Sequence, residues 1–299
     1  MPWMSQTNLL IIGGGYMGSL LAKYFRPYVQ VTVYEANEER CNQLKNDEQF
    51  NGILFTTTFS DVLAPTYVLK AVPEKLHIKQ GVFQTAQQLF GEKPIYCTNT
   101  SSILISEIAK ALPFPERLVG THFFSPADIS PLVEVIPSKW TDEAVLEHVM
   151  SFLESAKKKP VRLKREIEGF VANRLQSALA REAMSLVEKG VVTAEEVDFI
   201  AKWGLGIRLA MTGPIEQRDI NGLDTHLSIV ELVYPTLENT TEPLSILKTK
   251  VANNELGMKT NKGFYNWDNT SHHYLDKKSE KLKAIIEIVA EEDERNENR

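Results

Sequence analysis

The sequence predicts a two-domain α/β protein, with a doubly wound, mainly parallel sheet over residues 1–167 and an all-helical segment over 168–299. Three observations predict it. Short apolar, strand-like runs alternate with helix-length amphipathic segments up to about Glu168. The first of these runs stops at three consecutive glycines, after which a helical pattern resumes. Beyond Glu168 the strand patterns disappear and only helical spacing of apolar residues remains.

The elements follow in order. Leu9–Ile12 reads as a short buried strand and Met17–Phe25 as a helix. Between them, Gly13, Gly15 and Gly18 satisfy G-x-G-x-x-G. In a dinucleotide site the first glycine makes a tight turn and the second lets pyrophosphate approach the backbone. The third lets helix pack closely on strand. The diphosphate then meets the free N–H groups and positive end of the helix. A second strand, "QVTVYE", ends in Glu35, 17 positions beyond Gly18 and within reach of a ribose. A carboxylate there accepts hydrogen bonds from ribose hydroxyls and repels a 2′-phosphate, so NAD is expected over NADP. Arg40 is the first cation that follows.

Further strands are read in "YVLKAV", "PIYCTNT", "LVGTHFF", "LVEVI" and "PVRL", with helices over 77–89 and 141–156. The last pair of strands is open to a different arrangement. In the second segment, "GFVANRLQSALAREAMSLVEKG" is a helix closed by Gly190. "TAEE" at 193–196 is a capping box opening another helix. Pro214 and Glu216 suit the first turn of a third, and 244–256 reads as a fourth, ending near Gly257. From about Asp268 the chain is highly charged and reads as an exposed helix, with His272 and His273 solvated rather than bound to metal.

Composition narrows the function classes. Hydrophobic residues make up 43% and charged residues 24%, with a net charge of -6 and no Lys/Arg block, so no nucleic-acid partner is expected. Lys157, Lys158 and Lys159 read as a solvated helix end. No apolar run approaches the ~20 residues that span a bilayer, and "LLII" is too short for a signal-peptide core. Cys41 and Cys97 have no metal spacing and suggest no disulfide framework, so a cytoplasmic location is expected.

The chemistry is sought at the C-terminal ends of the strands. "NTSS" (99–102) places Asn99 and the hydroxyls of Ser101 and Ser102 there. His122 stands in the apolar context "GTHFFSP", where a histidine by itself is more often a core residue than a base. Glu134, a carboxylate inside the apolar strand "PLVEVIP", calls for a buried partner, and His122 is a candidate. A carboxylate on one ring nitrogen orients an imidazole and stabilises its protonated form.

With these residues in view the chain closely resembles the 3-hydroxyacyl-CoA dehydrogenase family. The motifs run in the family's order from "LLIIGGGYMGSLLA" through "NTSSILISEIA", "RLVGTHFFSPADISPLVEVIP" and "GFVANRL" to "GPIEQRDINGLD" and "TNKGFYNW". The resemblance implies a Rossmann domain that binds NAD, a helical domain that forms a homodimer, and an active site between them. By position it implies His122 as general base, Glu134 as its partner, and Ser101 and Asn173 as hydrogen-bonding groups for the substrate oxygen. Gly13, Gly15, Gly18, Glu35 and Asn99 fall at cofactor positions. The implied reaction is oxidation of a short 3-hydroxyacyl-CoA, such as 3-hydroxybutyryl-CoA, to the 3-oxoacyl-CoA.

Several positions depart from the family pattern. Ser125 stands where an asparagine usually follows "HFF", and Lys70 stands where an acidic residue is usual. The stretch from Glu35 to Ile53 is much shorter than in acyl-CoA members. Arg208 in "GLGIRLAMTGP" resembles relatives acting on small hydroxy acids, and it and Lys70 offer positive charge to a phosphate or carboxylate. A free hydroxy acid of the sugar-acid or carnitine type is therefore the alternative substrate, and a non-catalytic NAD-binding scaffold is a third reading.

Overall fold

A computed structural model of the chain describes residues 7–267 and 271–297. The chain divides into two compact units, the first ending at Asn173 and the second starting at Arg174. The first carries eight strands: β1 (Asn8–Ile12), β2 (Gln30–Tyr34), β3 (Leu54–Thr56), β4 (Tyr67–Lys70), β5 (Ile95–Thr98), β6 (Leu118–Phe123), β7 (Leu132–Ile136) and β8 (Lys159–Arg162). Their order in the sheet is 3-2-1-4-5-6-7-8. Every neighbouring pair is parallel except β6 and β7, which run antiparallel. The strand order reverses at β1, between β2 and β4, and that reversal is where a sheet of this kind opens a crevice for ligands.

Alternation along the strands sorts side chains into two cores, one on each face of the sheet. Leu9, Ile11, Val31, Val33 and Leu69 pack with Phe25 of α1 (Tyr16–Phe25), Leu44 of α2 (Glu38–Lys45) and Phe152 of α5 (Glu143–Ser155). Leu10, Ile12, Val68 and Tyr96 pack on the other face, with Phe83 of α3 (Leu76–Phe90) and Ile105 of α4 (Ile105–Ala109). Strand β3 is three residues long and its apolar content is too small to have been read from the sequence.

The second unit is helical: α6 (Ala172–Glu188, entering from the first unit), α7 (Ala194–Ile200), a π-helical turn (Ala201–Gly206), α8 (Ile207–Met211), α9 (Glu216–Asn221), α10 (Leu223–Val233), α11 (Ser245–Ala252) and α12 (Ser271–Glu297). Gly190 has φ +68, as a left-handed helix stop requires. The Thr193–Glu196 capping box is present in both directions. The helix expected over 244–256 is shorter than the sequence suggested. It stops at Ala252 because Asn254 turns left-handed (φ 57), and Gly257 instead bridges to Lys262. The side chains of His272 and His273 lie outside the described residues.

Two lysines read as solvent-facing cations are buried. Lys158 is 4% exposed; its Nζ donates to the carbonyls of Ala127 and Ser130 at 2.7 Å each and lies over the Tyr24 ring. Burial lowers its pKa to about 8, against the opposing pull of Asp128. It therefore ties down the loop that follows β6. Lys70, proposed from the sequence as a charge facing substrate, is 0% exposed at the end of β4. Alternation turns it into the core beside Val68, with Nζ 4.6 Å from the centre of the Phe83 ring. Neither its Nζ nor the Oγ1 of Thr98, its register partner on β5, has a hydrogen-bond partner among the described residues. Burial, reinforced by Lys79 and opposed by Glu74, lowers its pKa to about 5. Lys70 is a neutral amine at physiological pH.

The sign of its effect on stability follows. Between pH 5 and the ordinary lysine value the unfolded chain holds a proton at this position that the folded chain does not, so Lys70's contribution to stability rises with pH. We expect Lys70→Met to raise the melting temperature at pH 7, by roughly 3–5 kcal/mol of stability, because one pKa unit is worth about 1.4 kcal/mol. The gain over wild type narrows as the pH is raised towards 10. Thermal unfolding at a series of pH values checks both; a variant no more stable than wild type at pH 6 contradicts them.

Candidate active site

The antiparallel joint between β6 and β7 places His122 directly opposite Glu134, so the two side chains leave the sheet on one face. His122 Nδ1 and Glu134 Oε2 are 2.8 Å apart, and the two residues are 4% and 3% exposed. An ionised carboxylate only accepts, which fixes the proton of the neutral ring on Nδ1 and leaves Nε2 as the basic nitrogen. The rings of Phe124 and Phe170 stand 4.6 and 5.5 Å from the imidazole centre. The sequence could bring these residues only into the same half-domain; strand register brings them into contact.

Glu134 uses its second oxygen as well. Oε1 accepts the backbone N–H groups of Val171 and Ala172, both at 3.0 Å, at the start of α6. Gly169 (φ 73) and Phe170 (φ 51) are both left-handed, and they deliver those two N–H groups in succession. A phenylalanine with positive φ is strained, and its fully buried ring holds it there. Burial by itself would raise the pKa of Glu134. The hydrogen bonds from His122, Ala172 and Val171 outweigh it and hold the carboxyl below its usual range.

Asn173, in the first turn of α6, donates from Nδ2 to the carbonyl of Ser101 at 2.7 Å. Ser101 is exposed on the loop after β5. Two residues absent from the sequence reading organise that loop. Glu74 Oε1 accepts the N–H groups of Ser101 (3.0 Å), Ser102 (3.1 Å) and Ile103 (3.4 Å), along with the hydroxyls of Thr100 and Ser102. Its other oxygen pairs at 2.8 Å with Lys79, which is 0% exposed and also donates to the carbonyl of Asn99. Burial would raise the pKa of Glu74, but the bonds from Lys79, Thr100 and Ser102 hold it at about 2. The signal available was "AVPEKLHIK", a carboxylate and a lysine at (i, i+5) straight after a strand. Nothing in that spacing says where the pair points. Asn99 turns its Oδ1 to the N–H of Phe123 at 3.2 Å, which ties this loop to the strand carrying His122.

The glycine loop fits a dinucleotide. A Cβ on Gly13 (φ +107) would lie 2.5 Å from the Ala71 carbonyl oxygen, and one on Gly18 would lie 1.8 Å from that of Gly13. Both glycines are forced by backbone packing. A Cβ on Gly15 would meet nothing within 4 Å, so that side of the turn is open. Gly15 is the N-cap of α1, with no side chain bonded to the helix end and no acidic residue in its first turn, which leaves the site to an anion. Glu35 follows β2 with Oε2 accepting from Gly14 N at 2.7 Å and Oε1 from Asn37 N at 2.9 Å. Arg40 Nε donates to the Gly14 carbonyl. The glycine turn over 13–18 can thus receive a dinucleotide phosphate, while Glu35 and Asn99, expected at cofactor positions, place side-chain oxygens on the backbone N–H groups of Gly14, Asn37 and Phe123. Arg208 belongs to the second unit, exposed, with Nε donating to the Gly204 carbonyl at 2.8 Å. Among the described residues no cluster of three or more His, Cys, Asp or Glu side chains could hold a metal.

Two family models match the chain: the NAD-binding domain of 3-hydroxyacyl-CoA dehydrogenase over residues 35–167 and its C-terminal domain over 169–267. The chain is 30% identical over 302 residues to 5-formyl-3-hydroxy-2-methylpyridine 4-carboxylate 5-dehydrogenase of Mesorhizobium japonicum, covering 94% of this chain and 98% of that one. It is 34% identical over 222 residues to a 3-hydroxybutyryl-CoA dehydrogenase of Clostridioides difficile, covering 74% and 78%. Among solved structures it is similar to a 5-formyl-3-hydroxy-2-methylpyridine 4-carboxylic acid 5-dehydrogenase described as an NAD+-dependent dismutase (TM-score 0.88, 29% identity, 95% and 98% covered). It is also similar to a 3-hydroxyacyl-CoA dehydrogenase from Archaeoglobus fulgidus (TM-score 0.70, 29% identity, 94% and 99% covered). A phosphate-ready glycine turn, a buried histidine–carboxylate pair and relatives matched along almost their whole length lead to one conclusion: this chain is an NAD-dependent oxidoreductase of the 3-hydroxyacyl-CoA dehydrogenase family.

Proposed function

We propose that the protein oxidises a hydroxyl group on a small carboxylic acid, with His122 as general base; the observation that carries the chemistry is the buried His122–Glu134 pair. Bound NAD supplies the hydride acceptor. His122 takes the hydroxyl proton on Nε2, because Nδ1 is already committed to Glu134. The imidazolium so formed is stabilised by a carboxylate that stays ionised. Ser101 and Asn173 hold the substrate oxygen in line with that nitrogen, and the bond between them supports their acting from one fixed position. In the reverse direction the same nitrogen returns the proton.

The carboxylic acid is placed ahead of a short 3-hydroxyacyl-CoA on a specific observation. The solved pyridine-carboxylate enzyme is matched at a TM-score of 0.88, against 0.70 for the archaeal hydroxyacyl-CoA enzyme. The connection from β2 to β3 supports it, being only α2 and one 3-10 turn (Glu48–Phe50), with little area for a CoA tail. With Lys70 buried and neutral, Arg208 is the cation of the sequence reading that stays exposed. 3-Hydroxybutyryl-CoA is the second reading, supported by the family motifs and the clostridial relative. Cys41 and Cys97, both free and buried, suit a cytoplasmic enzyme.

A homodimer through the helical unit belongs to the same proposal. No apolar side chain beyond Phe170 is buried among the described residues, while Trp203, Ile215, Ile220, Leu223 and Leu232 are each more than 60% exposed. Helices that leave this much apolar surface in water are completed by a second copy.

Three outcomes are expected. NADH production is greater, by kcat/KM, for free hydroxy acids than for 3-hydroxybutyryl-CoA or its pantetheine ester, and Arg208→Ala raises KM for the acid. A thioester preferred over every acid returns the 3-hydroxyacyl-CoA reading. His122→Ala loses about 100- to 10,000-fold in kcat while NAD still binds, and Glu134→Gln lowers kcat in a folded protein. A loss under tenfold for His122→Ala would remove it as the base. Light scattering at micromolar concentration gives the mass of a dimer; a monomer refutes that part.

A further inference from the structure

The turn that receives the dinucleotide's diphosphate offers it backbone N–H groups and, in the first turn of α1, one free side-chain donor. Gly13, Gly14, Gly15 and Gly18 have no side chain, and Met17 has none that donates. The only basic residue of α1, Lys23, stands in its last turn. Ser19 is buried and commits its hydroxyl to the carbonyl of Tyr16 at 3.0 Å. The phenol of Tyr16, the first residue of the helix, is what remains.

Tyr16 differs from the other tyrosines of the first unit. Tyr24, Tyr67 and Tyr96 donate their hydroxyls to the backbone carbonyls of Ala156, His148 and Gly91. Tyr28 packs its ring against Tyr24, and Tyr34 stacks on Phe59 at 3.8 Å. Among the described residues Tyr16 has neither an aromatic neighbour nor a hydroxyl partner, and it is 64% exposed. A single exposed aromatic is ordinary on a protein surface. The place of this one gives it a use.

In a helix the Cα–Cβ bonds tilt towards the N-terminus, and long side chains turn back the same way. From the first helical position that direction leads past the end of α1. It reaches the side of the turn left open at Gly15, where a Cβ would meet nothing within 4 Å; a Cβ on Gly14 would instead meet Leu44 and Glu35. A phenol donates well to a charged oxygen without bringing a charge of its own. We propose that Tyr16 is a further cofactor-binding residue, its hydroxyl donating to the diphosphate of the bound dinucleotide beside the N–H groups at the start of α1. The hydroxyl holds no partner in the chain, so forming this bond breaks none and costs only the rotamer freedom of one side chain. With no cation in the first turn, Tyr16 is the side chain there that tells a phosphate from the uncharged parts of the cofactor.

The test is nucleotide binding to the full chain carrying Tyr16→Phe, which keeps the ring and loses the hydroxyl. NADH binding is followed by its fluorescence, and NAD, ADP and adenosine by displacement of NADH. Tyr16→Phe is expected to raise Kd about tenfold for NAD, NADH and ADP, the loss of one hydrogen bond to a charged group, and to leave adenosine within about twofold of wild type. The melting temperature without nucleotide is unchanged, because the hydroxyl supports nothing in the empty chain, and this separates a lost contact from a damaged turn. Wild-type affinity for NAD in Tyr16→Phe overturns the proposal. An equal loss for ADP and adenosine also overturns it, since the effect then lies at the adenosine end. If Tyr16→Leu weakens NAD binding and Tyr16→Phe does not, the ring binds rather than the hydroxyl, and the proposal fails.

Discussion

Glu134 divides its two oxygens between a side chain and a backbone, and the geometry of the first unit depends on that division. Oε2 fixes the tautomer and direction of His122, while Oε1 fixes where α6 begins. A buried carboxylate costs several kcal/mol unless it is fully bonded, and here one imidazole and two amides supply the bonds. One carboxylate thus restrains both the imidazole and the backbone where α6 begins.

The same device recurs at the other loops of the sheet. Glu35 takes the N–H of Gly14 in the phosphate turn, and Glu74 takes three successive N–H groups of the loop carrying Ser101. Each carboxylate follows a strand or lies within one, and each restrains backbone from a different part of the chain. Preorganised loops of this kind keep reacting groups in place without relying on the substrate to order them. They also explain how a short loop with little apolar content keeps a defined shape at the C-terminal ends of the strands.

Much of the fold was legible because its signals are local. The strand–glycine–helix opening, the alternation of elements and the Thr193–Glu196 cap are patterns of a few residues, and each appears in the structure. The candidate dyad was legible as two residues needing partners, but their meeting depends on an antiparallel register that no short pattern specifies. What the sequence misled on was burial of charge. Lys70 and Lys158 are ordinary lysines by composition, yet each is placed inward by strand parity or by carbonyl acceptors on a distant loop. Glu74 and Lys79 escaped for the same reason: their partners lie more than twenty residues away or across a turn. The helix ending at Ala252 was overestimated because Gly257 is a conspicuous stop signal and Asn254, three residues earlier, a quieter one.

Phe170 gives residue 170 two incompatible job descriptions. Its left-handed backbone is the province of glycine, while its position against the imidazole asks for a large ring. Glycine there would relax the chain and leave a void beside His122; a β-branched residue would part-fill the void and resist the backbone still more. Few side chains therefore suit this position, although the residue takes no part in proton transfer. Random libraries around the site should find 170 among their least forgiving codons.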